Sequence, residues 1–519
     1  MSVVFARKVA LTAAFTSLLA PSFVRASDAE VTSDTAAQFY DVRSPTGETI
    51  LMRRRVTSTL GIGEYNLLDA RPGDAKAGEL SFRARLRYDA DYGIGLAEVR
   101  ASQPQSFVPG LTPSGVDLMY GYLEGRRFLG GWVGFRLGRQ YQTDVLGWWS
   151  FDGVEASVTT PYFVKAEVYG GLEQRGGTAI STPRFEGDGI WRGNRQGYDP
   201  SLYPQFQPVN TAPAIGVALE STGVTWIHGR LTYRRVNNTG QSNTTEFASG
   251  LYPPSSVNQW RISSEKLGYA IDVRLAKLGG AKAGIVYDMY RSEITSAYAS
   301  LDVYAGQKVT LGADYDYYVP SFDGDSIWNF FAGEPRSDVG LRANVDVSDR
   351  LSLAANAHAR MFTVQTAQFD PGDPNYSPST KCVPGFGPCA TVFPSNGHPF
   401  DEGGNVSARW RTGETRFALR GSGDFGDEGD RAGADVSLEH VFETRYIASG
   451  RLGGWQSKDK LRPDRATTSA QYVLGAGYRF SPRSQGTVEW EHDINGLVGQ
   501  RFRLMFVLNI GLTNPGRLQ

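Results

Sequence analysis

Residues 80–91 read LSFRARLRYDAD, and they place Arg83, Arg85 and Arg87 at two-residue spacing, followed in the same phase by Asp89 and Asp91. Guanidinium groups stay protonated at any ordinary pH, so a row of them serves neither as nucleophile nor as general base. Their chemistry is to hydrogen-bond carboxylates and to attract and orient anions. The intervening residues, Leu80, Phe82, Ala84, Leu86, Tyr88 and Ala90, form an unbroken apolar row. In the same phase relative to their own apolar neighbours stand Arg136, Arg274, Arg342, Arg360, Arg409, Arg411, Arg416, Arg420, Arg501 and Arg503. Carboxylates in that phase include Glu155, Glu167, Asp272, Asp314, Asp316, Asp346, Asp435, Glu489 and Glu491.

Catalytic constellations are not evident. His228, His358, His398, His440 and His492 are scattered, with no zinc-type spacing and no H-E-x-x-H. There is no G-x-S-x-G elbow, no P-loop and no G-x-G-x-x-G between a strand and a helix, so neither an enzyme nor a cofactor or metal site is expected. Two loop segments, 322–328 (FDGDSIW) and 369–376 (FDPGDPNY), offer oxygen ligands without the spacing of a defined calcium site, and are read as solvated loop charge. The two cysteines, Cys382 and Cys389, bracket a Pro/Gly-rich segment, and in an exported chain they are expected to form a local disulfide.

The elements that must carry these charges show a period of two. Val309, Leu311, Ala313, Tyr315 and Tyr317 alternate with Thr310, Gly312, Asp314 and Asp316; Val339 to Val347, Leu351 to Met361 and Phe502 to Leu512 repeat the pattern. Such alternation gives a strand with two unlike faces. These runs are long, near the roughly 9–11 residues of a membrane-crossing strand rather than the usual 5–6. Among 519 residues there are 61 glycines and 12% aromatics, which favours an all-β chain. A net charge of −1 gives no basic excess for nucleic acid. Past the N-terminus no apolar run approaches the ~20 residues of a membrane helix, which excludes a helical membrane protein but not a barrel.

Residues 1–26, with Arg7 and Lys8 before a short apolar stretch and small residues at 24–26, read as an export signal. Short turns (160–162, 221–223, 278–282, 305–308, 348–350, 412–414, 442–445, 481–484) alternate with longer connections (102–114, 172–212, 238–264, 320–337, 363–403, 456–466). Turns at one end and loops at the other fit a transmembrane antiparallel β-barrel of roughly 22 strands (18–24), short periplasmic turns and long extracellular loops. In lipid every backbone N–H and C=O must be paired, so a sheet spans only when closed. Arginine facing lipid at the midplane costs about 2–4 kcal/mol, so the phased arginines are expected to line the pore. The expected divisions are a signal peptide at 1–26, a short periplasmic segment at 27–49, the barrel at 50–512 and a periplasmic tail at 513–519. Tyr88, Tyr92, Trp132, Tyr162, Tyr315, Tyr317 and Trp490 are expected girdle residues.

Residues 135–140 (FRLGRQ), followed by 151–158 (FDGVEASV), resemble strand–loop–strand segments of bacterial outer-membrane porin-type barrels, such as the alginate-export and phosphate-selective types. The resemblance implies a channel in the bacterial outer membrane that passes small polar or charged solutes, with lipid and solutes as its partners. The tail TNPGRLQ departs from the terminal Phe common in such barrels. The alternative is a structural sleeve around a lumenal or periplasmic partner such as a multihaem cytochrome, with the haems on that partner because no C-x-x-C-H occurs here. An energised importer is disfavoured, because residues 27–49 are too few for a plug domain. The sequence leaves three states of the lumen open: unobstructed, constricted by segment 172–212 folded inward, or occupied by a partner.

Overall fold

The computed structural model describes residues 28–68, 77–91, 115–174, 212–238, 261–319, 335–362, 400–427, 429–460 and 465–514. The expected signal at 1–26, Tyr92, the Cys382–Cys389 bridge, both loop carboxylate clusters and nearly all of 172–212 lie outside them. The chain is all-β. Twenty-two strands form one sheet, each antiparallel to its sequence neighbours. They are β1 (Asp28–Arg43), β2 (Thr49–Tyr65), β3 (Glu79–Asp91), β4 (Gly115–Arg127), β5 (Val133–Asp144), β6 (Gly147–Thr159), β7 (Val164–Glu173), β8 (Pro213–Ser221), β9 (Ile227–Asn238), β10 (Arg261–Leu275) and β11 (Gly279–Asp288). They continue as β12 (Glu293–Tyr304), β13 (Val309–Tyr318), β14 (Arg336–Asp346), β15 (Leu351–Phe362), β16 (Phe400–Thr412), β17 (Thr415–Gly426), β18 (Gly429–Phe442), β19 (Tyr446–Asp459), β20 (Thr467–Ser481), β21 (Ser484–Asn495) and β22 (Gly499–Asn514). A single turn, α1 (Phe128–Gly131), links β4 to β5.

The sheet closes where β1 pairs with β22, from Ala29 opposite Asn514 to Arg43 opposite Gln500. This corrects the sequence-based boundaries. Residues 28–43 are not a segment ahead of the barrel but its first strand, and the barrel runs from 28 to 514. The hydrophobic period is weak there because the outer face of β1 carries Ser33, Thr35 and Asp41 among Ala29, Val31, Ala37 and Phe39. Ser33 and Ala37 are nonetheless buried. Thr35 makes a 2.7 Å hydroxyl–hydroxyl bond to Ser58 of β2.

All the long connections leave one end of the barrel: 92–114, 174–212, 239–260, 319–335 and 363–399. At the other end the longest connection is 66–78, and the rest are tight turns such as 276–278, 413–414 and 482–483. We call these the loop end and the turn end. The loop end also carries tight connections, among them 44–48, 145–146 and 289–292.

The faces separate as the alternation requires. Outer-face side chains include Phe82, Leu86, Val154, Ile215, Leu301, Leu341, Leu419 and Leu474, all exposed. Val406, at the middle of β16, is 62% exposed. An apolar band exposed to this extent requires a non-aqueous surround, and closure leaves no unpaired edge within it. Aromatics gather at its rims. Trp132, Tyr162, Phe163, Trp226, Tyr304, Phe442, Tyr446 and Phe480 stand at the turn end, and Tyr290, Phe400 and Phe425 at the loop end. At the loop end the outer face turns polar, with Arg54 paired to Asp41 at 2.8 Å. Among the described residues no helix is long and apolar enough to cross a membrane, so the strands form the span.

Candidate functional site

The inner face of β3 carries Arg83, Arg85 and Arg87, opposite Gly63, Gly61 and Thr59 of β2 and Tyr122, Tyr120 and Asp117 of β4. An extra residue in β4, Met119, shifts the register there, so Asp117 and Tyr120 share the inner face although three positions apart. The three arginines are engaged. Arg85 donates to Asp34 across two strands and to Thr59 Oγ1 at 2.8 Å. Arg87 lies 3.6 Å from Asp117. The Arg83 guanidinium sits over the Tyr65 ring, 5.0 Å from its centre, a cation–π arrangement. Asp89 accepts from Arg55 and from Thr57 at 3.1 Å. Asp91 stands in the same strand phase, opposite Arg55, and its side chain is outside the described set.

Further round the inner wall, Arg136 lies 3.5 Å from both Glu124 and Glu155. Arg342 bridges Asp302 at 3.0 Å and Asp314 at 2.9 Å. Arg360 meets Asp338 at 3.0 Å, Arg416 meets Glu439 at 3.3 Å, and Arg274 meets Asp272 at 3.2 Å. His358 lies 3.1 Å from Asp424. Arg501 and Arg503 converge on the buried Glu491. Arg409, Arg411 and Arg420, by contrast, have no ion-pair partner among the described residues, and Arg411 stands directly opposite Arg416. The inner wall is thus charge-matched over much of its circumference and carries surplus positive charge on β16 and β17. A cavity of about 870 Å3 lies against this sector, and its lining mixes Arg409, Arg411, Arg416, Arg451, Arg501 and Arg503 with the carboxylates of Asp346, Asp349, Glu439, Glu489 and Glu491.

One feature of the lumen was not anticipated. The β5–β6 hairpin leaves the wall and folds inward. β4 pairs with β5 only as far as Arg139, and β7 with β6 only as far as Phe151, so the tip from Gln140 to Ser150 outruns both neighbours. It lies on the inner faces of β7, β8, β9 and β10. Trp149 and Phe151 stack at 4.2 Å and pack with Tyr169, Ala214 and Val236, all buried. Trp149 Nε1 donates to Glu173 at 2.8 Å, and Arg234 caps the indole at 5.1 Å while donating to the Leu146 carbonyl at 3.3 Å. At the tip, a Cβ on Gly268 of β10 would meet Val145 and Leu146 at 2.5–2.6 Å.

The bend has a cause in sequence. Gly138, Gly153 and Gly171 lie side by side across β5, β6 and β7. A Cβ on Gly138 would come 2.3 Å from the Gly121 carbonyl, one on Gly153 2.1 Å from that of Gly170, and one on Gly171 2.2 Å from that of Asp152. Gly138 also has φ +127°, a conformation L-residues rarely adopt. A row of such positions lets three backbones crease together. The single-strand reading missed this because a two-residue turn at 145–146 looks like any tight hairpin. The available signal was residues 144–149, DVLGWW, which put four large apolar residues at a turn tip.

No family model matches the chain. No curated protein matches it either. Among solved structures it is similar to the outer membrane protein opdK from Pseudomonas aeruginosa, at 9% identity over 94% of this chain and 99% of that one, TM-score 0.41. It is likewise similar to Acinetobacter baumannii OccAB1, at 9% identity over 95% and 98%, TM-score 0.41. The third is P. aeruginosa OccK7 (OpdD), at 8% identity over 94% and 99%, TM-score 0.41. Likeness at this distance carries no argument about solute or mechanism. The fold rests on the chain's own pairing, which makes it a closed 22-stranded antiparallel barrel.

Proposed function

We propose that the protein is a channel of the bacterial outer membrane, exported by residues 1–26, that lets small polar or charged solutes diffuse through an arginine- and carboxylate-lined lumen. The observation that carries this reading is the division of one closed sheet into an apolar outer face and a charged inner face. A wall of opposed charges around water orients solutes and filters them by sign. Much of that charge is internally matched, so its first effect is to stiffen the wall and hold a fixed field. The surplus on Arg409, Arg411 and Arg420 gives the lumen a basic sector, which favours anions. Among the described residues no observation favours the sleeve reading.

The test is planar-bilayer recording of the purified chain, with reversal potentials under a salt gradient. Discrete conductance steps with a preference for anions are expected. Replacing Arg409, Arg411 and Arg420 with Ser shifts the reversal potential toward cation preference. An absence of steps refutes the channel, and an unchanged reversal potential refutes the role of the basic sector.

A further inference from the structure

The face of the β5–β6 hairpin turned away from the wall is also built, and in a different chemistry. Tyr141 and Trp148 stack on each other at 4.3 Å, and Tyr141 meets Tyr120 of the β4 inner face edge-on at 5.9 Å. Tyr120 continues to Tyr122 at 5.9 Å. Tyr120, Tyr141 and Trp148 are all only half-buried, so ring surface is open to the lumen. Beside them in the same strand phase, Arg139 and Asp152 form a two-pronged pair at 2.8 and 3.0 Å. Arg139 also donates to the Leu118 carbonyl at 2.9 Å.

We propose that this face is a binding station for neutral ring-shaped polyols, sugars of the pyranose class, on their way through the lumen. The proposal rests on the channel reading above. A pyranose presents C–H groups on its flat face, which settle on the electron-rich face of an aromatic ring. Its hydroxyls both donate and accept, and the Arg139–Asp152 pair offers both functions at one point. Three of the five guanidinium N–H groups are used by Asp152 and Leu118, leaving two, and the carboxylate still has a free lone-pair direction. The pair is also neutral as a unit, so an anion gains nothing from it by attraction, whereas a hydroxyl gains from either member. This separates the station from the surplus arginines of β16 and β17, which suit anions.

The experiment is single-channel recording of the full-length protein with D-glucose, maltotriose or glucuronate added. Wild-type channels are expected to show concentration-dependent current interruptions by the neutral sugars. Trp148→Ala and Tyr141→Ala should each shorten the interruptions about three- to tenfold while leaving the open-channel steps in place. Trp148→Phe should restore them, which a merely structural role for the ring does not require. If Trp148→Ala fails to fold, Tyr141→Ala and Trp148→Phe decide. Steps without sugar-dependent interruptions, interruptions untouched by the ring variants, or stronger block by glucuronate than by glucose each overturn the proposal. An absence of steps instead overturns the channel reading on which it rests.

Discussion

Trp149→Ala tests whether the inward hairpin narrows the pore. The indole is 0% exposed, stacked on Phe151 at 4.2 Å, bonded to Glu173 at 2.8 Å and capped by Arg234. Truncating a buried large aromatic to Ala costs about 3–5 kcal/mol. The Glu173 carboxylate loses a donor as well, but it can recover water once the hairpin lifts, so no further energy is added. At 1.4 kcal/mol per tenfold, the docked-to-undocked ratio falls by about two to three and a half powers of ten. The barrel itself should survive, because residues 140–150 lie beyond the strand pairing with β4 and β7, so the ladders that close the wall do not run through them. The expected readout in planar bilayers is a larger step conductance, with flicker between two levels as the hairpin swings. Folding is checked separately by heat-modified electrophoretic mobility in SDS. A folded variant with the wild-type step size and no added substate refutes the assignment of the hairpin as the constriction.

Three further outcomes follow from the geometry. Gly153→Ala drives a methyl group toward the Gly170 carbonyl at 2.1 Å, whereas at Gly421 the nearest atom is 3.7 Å away. The first change should cost about 1–3 kcal/mol and lower the temperature of the mobility shift, and Gly421→Ala should leave it in place; equal behaviour argues against the crease. Glu491→Gln removes the group that holds Arg501 and Arg503 together, and a loss of about 1–3 kcal/mol in detergent unfolding is expected, short of the 3–5 for a fully buried pair because Arg501 is 39% exposed. Val406→Arg puts a charge on the outer face at mid-strand and should cost about 2–4 kcal/mol in folding into lipid vesicles, while Asn405→Arg, one residue away on the inner face, should fold far better; the opposite order reverses the face assignment.

Much of the barrel was legible because a membrane leaves so few solutions. A strand such as β3 must present Leu80, Phe82 and Leu86 to one side and its arginines to the other, so period and polarity together identify both the element and its orientation. The eight tight turns read from the sequence all lie at the turn end. What stayed hidden depends on neighbours that are distant in sequence. β1 carries Ser33 and Thr35 on its outer face, and only its position between β2 and β22 shows why they are tolerated there. The inward hairpin depends on glycines from three strands standing in register, which no single stretch displays. Likewise, the sequence could align Arg83, Arg85 and Arg87 on a face, but it could not reveal that Asp34 reaches Arg85 from two strands away while Arg409, Arg411 and Arg420 are left unmatched.

The seam between β1 and β22 bears on assembly. Asn509 donates to Asp34 across it at 2.8 Å, although the two lie 475 positions apart in the chain. Every other strand pair can form as soon as a hairpin is made, but this one waits for the last strand. Until then β1 is an open template, with unsatisfied N–H and C=O groups along its length that any extended segment can engage. Loop closure over such a separation is slow. The growing sheet therefore needs either a surface that shields its first edge or a chaperone that occupies it, and the vulnerability of the molecule is greatest one strand before completion.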